Sequence, residues 1–191
     1  VISSPDFPKR ADVVIIGAGI VGISTAMELQ ARGLDVVVLE KGEVAAEQSS
    51  RNWGWCRQMG RDPREIPLIK ESMKLWRGMN ARIGAETGYR TCGILYQAET
   101  KADYADSADW FDDNVEQYGL STRLLTAQQT QNLTPGLATP WIGGLYTEDD
   151  GKAEPFIAVP AMAEFFKRHG GKIFTQCAAR CVDTAAGKIT E

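Results

Sequence analysis

The segment that most restricts how this chain can fold is Gly17-Ala18-Gly19-Ile20-Val21-Gly22, which directly follows Val13-Val14-Ile15-Ile16. Four consecutive β-branched or apolar residues are the pattern of a parallel strand buried on both faces. The three glycines then serve three purposes. Gly17 permits a tight turn from strand to helix. Gly19 lets the backbone approach a pyrophosphate with no Cβ in the way, and Gly22 allows the helix to pack closely on the strand. Residues 20–32 suit a helix that Gly33 stops, and Val36-Val37-Val38-Leu39 suits a second buried strand. Strand, helix and strand in succession make one βαβ unit with a right-handed crossover. A pyrophosphate would sit at the positive end of the helix, where free N–H groups point at it. Glu40 ends the second strand, where a carboxylate accepts hydrogen bonds from ribose hydroxyls, and Lys41 adjoins it. An acid there repels a 2′-phosphate and disfavours NADP. Glycines that merely made a tight loop would not need strand, helix and terminal acid to agree.

The rest of the chain is read the same way. Residues 1–10, with two prolines and three charges, form a tail, and 43–61 is irregular. Asp62 as cap, Pro63 at the first helical position and Glu65 closing a capping box predict a second helix. Its inward face carries Ile66, Ile69, Met73, Trp76, Met79 and Ile83, and Gly84 ends it. Cys92–Gln97 is a predicted strand. Residues 100–118 are a third helix with an inward stripe from Tyr104 to Tyr118, terminated by Gly119. Ser121–Leu125 is a short strand, and Thr126 with Gln129 caps a short helix before Pro135. Trp141–Thr147 is a strand followed by a solvated turn at Asp149-Asp150-Gly151. Pro155 opens a fourth helix to Gly170, 172–182 is strand-like, and a further strand begins at Lys188. The expected division is a dinucleotide-binding part at 1–95, the start of a second, α+β domain inserted at 96–150, and a return to the first at 151–191.

Composition excludes several classes. Apolar residues make up 43% and charged residues 24%, which is ordinary for a globular chain and argues against disorder or coiled coil. No apolar run approaches the roughly 18 residues of a membrane span, and no charged n-region followed by an apolar h-region opens the sequence, so neither spanning nor secretion is expected. The expected location is cytoplasmic, with peripheral docking on the inner membrane left open. The net charge is −4 and the 21 basic residues are scattered, so the footprint of a nucleic-acid binder is missing. The four cysteines, at 56, 92, 177 and 181, make no Cys-x-x-Cys pair, and His169 is the only histidine. No metal site is expected, and the thiols are read as reduced.

Residues Val13 to Glu40 resemble the dinucleotide-binding fingerprint of FAD enzymes with the glutathione-reductase-like fold. Residues Gln48-Ser49-Ser50-Arg51-Asn52-Trp53-Gly54-Trp55-Cys56-Arg57-Gln58 resemble the loop after the second strand in the D-amino-acid oxidase and sarcosine oxidase family, with Ser50 in place of a glycine. Gly143-Gly144-Leu145-Tyr146, the turn through Gly151 and the stretch from Pro155 resemble that family's return from substrate domain to flavin domain. The Arg-Asn-Trp-Gly-Trp-Cys-Arg form looks most like bacterial amino-acid and opine dehydrogenases or oxidase subunits.

The resemblance implies an α/β Rossmann-like FAD-binding domain and hydride transfer from the C–N carbon of an amino acid or amine to flavin N5. The imine product then hydrolyses, and oxygen, a quinone or a protein reoxidises the cofactor. It also implies the site residues. Gly17 to Gly22, Glu40 and Lys41 bind the nucleotide. Ser49, Ser50, Arg51 and Asn52 bond flavin or phosphate oxygens, or else cap their own loop. A cation near the flavin stabilises its reduced, anionic form. Arg57 is assigned that role and Arg51 is second, with a solvated loop charge as the plain alternative for either. Cys56 invites a covalent-flavin idea, but a cysteine beside two tryptophans is more simply a packed residue. Trp53 and Trp55 either wall the active site or pack. Family members run to about twice this length, so the chain looks like an N-terminal portion, and residues 1–191 alone are expected not to turn over. Two other classes stay open: an NAD-dependent dehydrogenase, and a non-catalytic nucleotide-binding half that works with a partner chain.

Overall fold

The computed structural model describes residues 1–190. In chain order the elements are β1 (Val13–Ile16), α1 (Ile20–Ala31), β2 (Val36–Leu39), β3 (Trp55–Cys56), α2 (Ile66–Ile83), β4 (Arg90–Thr91), β5 (Ile94–Ala98) and α3 (Lys101–Tyr118). They continue with β6 (Thr122–Thr126), α4 (Ala127–Leu133), β7 (Gly143–Thr147), β8 (Gly151–Lys152), α5 (Pro155–Arg168), β9 (Lys172–Phe174), β10 (Thr184–Ala185) and β11 (Lys188–Ile189). The chain divides into two compact units. One holds Val1–Trp53, Asn80–Gly88 and the residues from Glu154 onward; the other holds Gly54–Met79 and Tyr89–Ala153. Set beside the division at 95 and 150 read from sequence, 54–79 groups with 89–153. The reason is local pairing: β3 and β4 flank β8 in one antiparallel sheet.

The first unit is built on a parallel sheet in the order β1-β2-β9, with Ile16 beside Leu39 and Leu39 beside Phe174. Helices α1 and α5 pack together. They bury Ile23, Ala26 and Met27 from one and Ala158, Val159, Met162, Ala163 and Phe166 from the other. The Gln30 side chain ties them by donating to the carbonyls of Phe166 and His169. β2 is buried along Val36-Val37-Val38, as the run of β-branched residues predicts. β1 is not: Val14 is 54% and Ile16 64% exposed. Ile15 points at α1, since its Cγ2 would lie 3.3 Å from a Cβ on Gly22. Val14 and Ile16 therefore face the opposite side of the sheet. β1 is also a terminal strand of that sheet, and the ring that reaches the sheet from the N-terminal segment, Phe7, lies tilted against Phe174 of β9, with ring centres 4.5 Å apart.

The expected strand over 172–182 is shorter. It stops at Phe174, Gln176 takes a positive φ of 53°, and the Cys177 N–H turns to donate to the Glu40 carbonyl at 2.8 Å. Cys177 and Cys181 therefore do not share a strand face.

The second unit rests on the antiparallel sheet β5-β7-β6. Met59, Ile94 and Leu145 are buried together, with Tyr96, Trp110, Phe111 and Leu124 packed around them. β7 opens with Gly143-Gly144 because its neighbours come close. A Cβ at Gly143 would lie 2.2 Å from the Tyr104 ring, and one at Gly144 2.7 Å from the Tyr96 carbonyl. The predicted cap of Thr126 with Gln129 forms on α4, and α3 carries a like one, Thr100 with Asp103, that the sequence reading did not single out. Gly119 ends α3 at φ 57°.

The start of α2 differs from expectation. The helix begins at Ile66, not at Pro63. Asp62 accepts from the Arg64 backbone N–H and from Arg64 Nε, both at 2.9 Å, so its carboxylate closes a turn instead of capping the helix. Those hydrogen bonds hold the Asp62 carboxyl down at about 2. Glu65 lies 3.7 Å from Arg61 and closes no box. The predicted inward face holds: Ile66, Met73, Met79 and Ile83 are buried.

Candidate functional site

The glycine turn lies within the first unit. The Gly17 N–H donates to the Leu39 carbonyl at 2.8 Å, which brings the end of β1 against the end of β2. Gly17 has φ 103°, a value that a residue with a Cβ rarely adopts. The Ala18 N–H donates to Glu40 Oε2 and the Gly42 N–H to Glu40 Oε1, each at 2.8 Å. The Ala18 carbonyl in turn accepts from the Ala45 N–H at 3.1 Å, and Ala45 is held at φ 62°. The main chain around Ala18 is thus fixed from both sides.

Helix α1 has Gly19 as N-cap, with no side-chain cap of its own. Ser49 comes from the loop after β2 and takes up that position: its Oγ accepts from the Ile20 N–H at 2.8 Å. A Cβ on Gly19 would lie 2.9 Å from that oxygen. The next N–H groups of the first turn have no intrahelical acceptor and carry the positive end of the helix dipole.

Around this turn opens a cavity of about 420 Å³, lined by Gly17, Gly19, Glu40, Lys41, Ser49 and residues of the loops beside them, including Cys177 and Ala178. Of the nucleotide candidates, the structure brings Gly17, Gly19, Glu40, Lys41 and Ser49 to the cavity. Ala18, Ile20 and Gly22 shape the turn. The Val21 side chain is 77% exposed. Ser50 donates to the Glu47 carbonyl and Asn52 to the Gln48 carbonyl, so both cap their own loop. Arg51 pairs with Glu47 at 3.2 Å, and Lys41 reaches the same carboxylate at 3.6 Å. The 177–179 segment was missed as a cavity wall because its composition continues the strand pattern of β9. The small residues Ala178-Ala179 are the signal for it.

A second cluster lies within the second unit. Asp150, expected in a solvated turn, is fully buried. Its Oδ1 accepts from the Gln58 N–H at 2.7 Å and its Oδ2 from the Met59 N–H at 3.3 Å. Burial raises its carboxyl above the usual range, while the bonds from Gln58 and Met59 and the Arg57 charge pull the other way. Arg57 donates to the Met59 carbonyl, and its guanidinium lies 5.3 Å from the Tyr96 ring centre. Arg57 forms no salt bridge among the described residues, whereas Arg51 is paired. Cys56 is pushed up to about 12, by burial first, so it stays a thiol. The four cysteines are free. Among the described residues no group of three or more His, Cys, Asp or Glu is placed to hold a metal ion, and no helix is long and apolar enough to cross a membrane.

Comparison with known proteins gives the setting. Residues 12–191 match the family described as FAD dependent oxidoreductase (DAO). The fold superposes on L-amino acid deaminase from Proteus vulgaris with a TM-score of 0.92 and 38% identity, covering 99% of this chain and 45% of that one. The chain is 26% identical to the mitochondrial pyruvate dehydrogenase phosphatase regulatory subunit of Mus musculus, over 96% of this chain and 21% of that protein. It is 28% identical to 4-methylaminobutanoate oxidase (formaldehyde-forming) of Paenarthrobacter nicotinovorans, over 99% of this chain and 24% of that protein. The chain thus spans less than half the length of each of these relatives. With the match extending over nearly all of its residues, the chain belongs to the family of FAD dependent oxidoreductases.

Proposed function

We propose that the protein carrying this chain oxidises the C–N bond of an amino acid or secondary amine. The observation that carries this reading is the cavity at the glycine turn, in a chain of an FAD-dependent family. The residues there fit the nucleotide end of FAD: a cradle that a Cβ at Gly19 would narrow, a helix N-terminus facing it, and a carboxylate at the end of β2. Bound FAD supplies the two-electron acceptor for the oxidation.

The chain's own residues hold and orient. Gly17, Gly19 and the first turn of α1 receive the pyrophosphate. Ser49 accepts from Ile20 with its oxygen and keeps its hydroxyl proton for a phosphate oxygen. Each Glu40 oxygen accepts one backbone N–H and retains a lone pair for a ribose hydroxyl. Arg57 supplies the positive charge that favours reduced flavin. It is preferred to Arg51, whose charge Glu47 already balances. The substrate class follows the relatives, which include an L-amino acid deaminase and a 4-methylaminobutanoate oxidase.

A second reading has its own support. The relative that is a regulatory subunit favours a nucleotide-binding chain that acts with a partner. The deciding experiment is the visible spectrum of the full-length protein before and after denaturation, followed by reduction with a panel of amino acids and N-methylated amines. The expected result is a released chromophore that migrates as FAD and is bleached anaerobically by one member of the panel. An FAD-loaded protein that no amine bleaches would favour the regulatory reading. A protein that binds NAD instead would overturn both.

A further inference from the structure

The wall of the nucleotide cavity at residues 177–179 belongs to no regular strand, yet it is fixed to the same residue as the glycine turn. In a parallel ladder the two backbone bonds of one residue go to groups two residues apart on its neighbour. Those of Glu40 go to groups three residues apart: its N–H donates to the Phe174 carbonyl at 2.9 Å, and its carbonyl accepts from the Cys177 N–H at 2.8 Å. One residue is therefore inserted after β9, which makes a β-bulge. Gln176 takes it up at φ 53°, a left-handed conformation that is costly for a residue with a Cβ and free for glycine.

The side chain of Gln176 accounts for its presence at a position suited to glycine. Its Nε2 donates to Glu43 Oε1 at 3.0 Å, and its N–H, displaced from the ladder, donates to the Gly42 carbonyl at 3.0 Å. The Gly42 N–H in turn donates to Glu40, whose other carboxylate oxygen holds Ala18. From the other side the N-terminal segment holds β9. The Ser4 N–H donates to the Ile173 carbonyl at 2.8 Å, and the Ser3 hydroxyl accepts from the Thr175 N–H at 3.3 Å. One connected set of bonds thus runs from the glycine turn through Glu40 and Gly42 to the bulge and its wall, all within the first unit. Bulges beside functional sites re-aim the chain that follows them.

We propose that Gln176 is a positioning residue for the nucleotide: the bulge it forms, locked by its side chain to Glu43, sets the 177–179 wall against the ribose end of the cavity. This rests on the reading of that cavity as the FAD site. A residue that served the fold alone would change apoprotein stability and FAD affinity together.

The test uses the full-length protein, stripped of flavin and titrated with FAD, with urea midpoints measured on the same apoproteins. Gln176→Ala loses the bond to Glu43 and keeps the left-handed strain, whereas Gln176→Gly loses the bond and removes the strain. Gln176→Gly should therefore have the higher urea midpoint of the two. Both should bind FAD about fivefold more weakly than wild type, the weight of one exposed hydrogen bond. Glu43→Ala should weaken FAD binding to a like extent, and Gln176→Gly should add nothing in that background. Glu43→Gln, which keeps an acceptor for Gln176, should restore the affinity. FAD affinity that follows the urea midpoint, with Gln176→Gly binding like wild type and Gln176→Ala weakly, overturns the positioning role. So do equal losses in both Glu43 backgrounds, a loss in Glu43→Gln as large as in Glu43→Ala, or affinities that no substitution changes. A wild-type apoprotein that takes up no FAD overturns the reading of the cavity, and the role of Gln176 with it.

Discussion

Gly22 and Gly17 are both required at the turn, for different reasons that predict different losses. A Cβ at Gly22 would stand 1.9 Å from the Gly17 carbonyl oxygen, so the backbone itself must move. Gly17 has nothing within 4 Å of its missing Cβ, but its φ of 103° strains any other residue. Gly22→Ala should cost about 1–3 kcal/mol through overpacking and release FAD, because the turn deforms. Gly17→Ala should cost about the same through strain alone, with FAD retained better than in Gly22→Ala. Urea midpoints and flavin content of the two variants check this. At Cys56 burial keeps the thiol protonated, and only a thiolate reacts. In native protein at pH 8, iodoacetamide should label the exposed Cys92 and Cys181 first and leave Cys56 unmodified until unfolding, as read by peptide mass spectrometry. The glycines were legible in the sequence because each reports a backbone constraint within a few residues. Asp150 was not. In Glu148-Asp149-Asp150 it looks like one more solvated acid, and what buries it is a loop 92 residues away.

At the scale of elements, the predicted cap of α4, and the like one that α3 carries, formed because each is closed within four residues by partners with no competitor. The α2 cap failed because Arg64 offers Asp62 both a backbone N–H and a guanidinium. Strand ends were less legible, since the sequence after Phe174 stays strand-like while the chain turns away to bond Glu40. The α3 cap gives a pH prediction. Thr100 holds the Asp103 carboxyl below its usual range through hydrogen bonds from its hydroxyl and its N–H. A group whose folded value is lowered stabilises above the unfolded value, near 3.9, and loses that contribution as pH falls through the folded one. Thr100→Ala should cost about 1 kcal/mol at neutral pH. The gap from wild type should narrow steadily below about pH 4, as followed by urea denaturation across that range.

For the whole molecule, the composition of β1 is the instructive case. Val13-Val14-Ile15-Ile16 reads as a strand covered on both faces, and within the described residues one face stays open at Val14 and Ile16. Composition alone does not say which face a neighbour covers: α1 lies against Ile15, and within the described residues Val14 and Ile16 stay exposed. The nucleotide cavity is different: its walls come from β1, β2, the 43–49 loop and the segment after β9, all within the first unit. Cofactor choice should therefore be readable in this chain's own stability. A ligand at a hundred times its Kd stabilises the state that binds it by about 2.7 kcal/mol. In a domain of this size that raises the melting temperature by on the order of 5–10 °C. FAD added to apoprotein should produce such a rise. NADP should produce none, because Glu40, 8% exposed and bonded to the turn, sets a carboxylate where a 2′-phosphate would lie. Glu40→Ala should lose the response to FAD and lower the melting temperature of the apoprotein as well, since Ala18 and Gly42 then lose their acceptor. A normal apoprotein melting temperature in Glu40→Ala would show that the carboxylate serves the ligand alone. A rise with NAD equal to that with FAD would move the cavity to the nicotinamide enzymes.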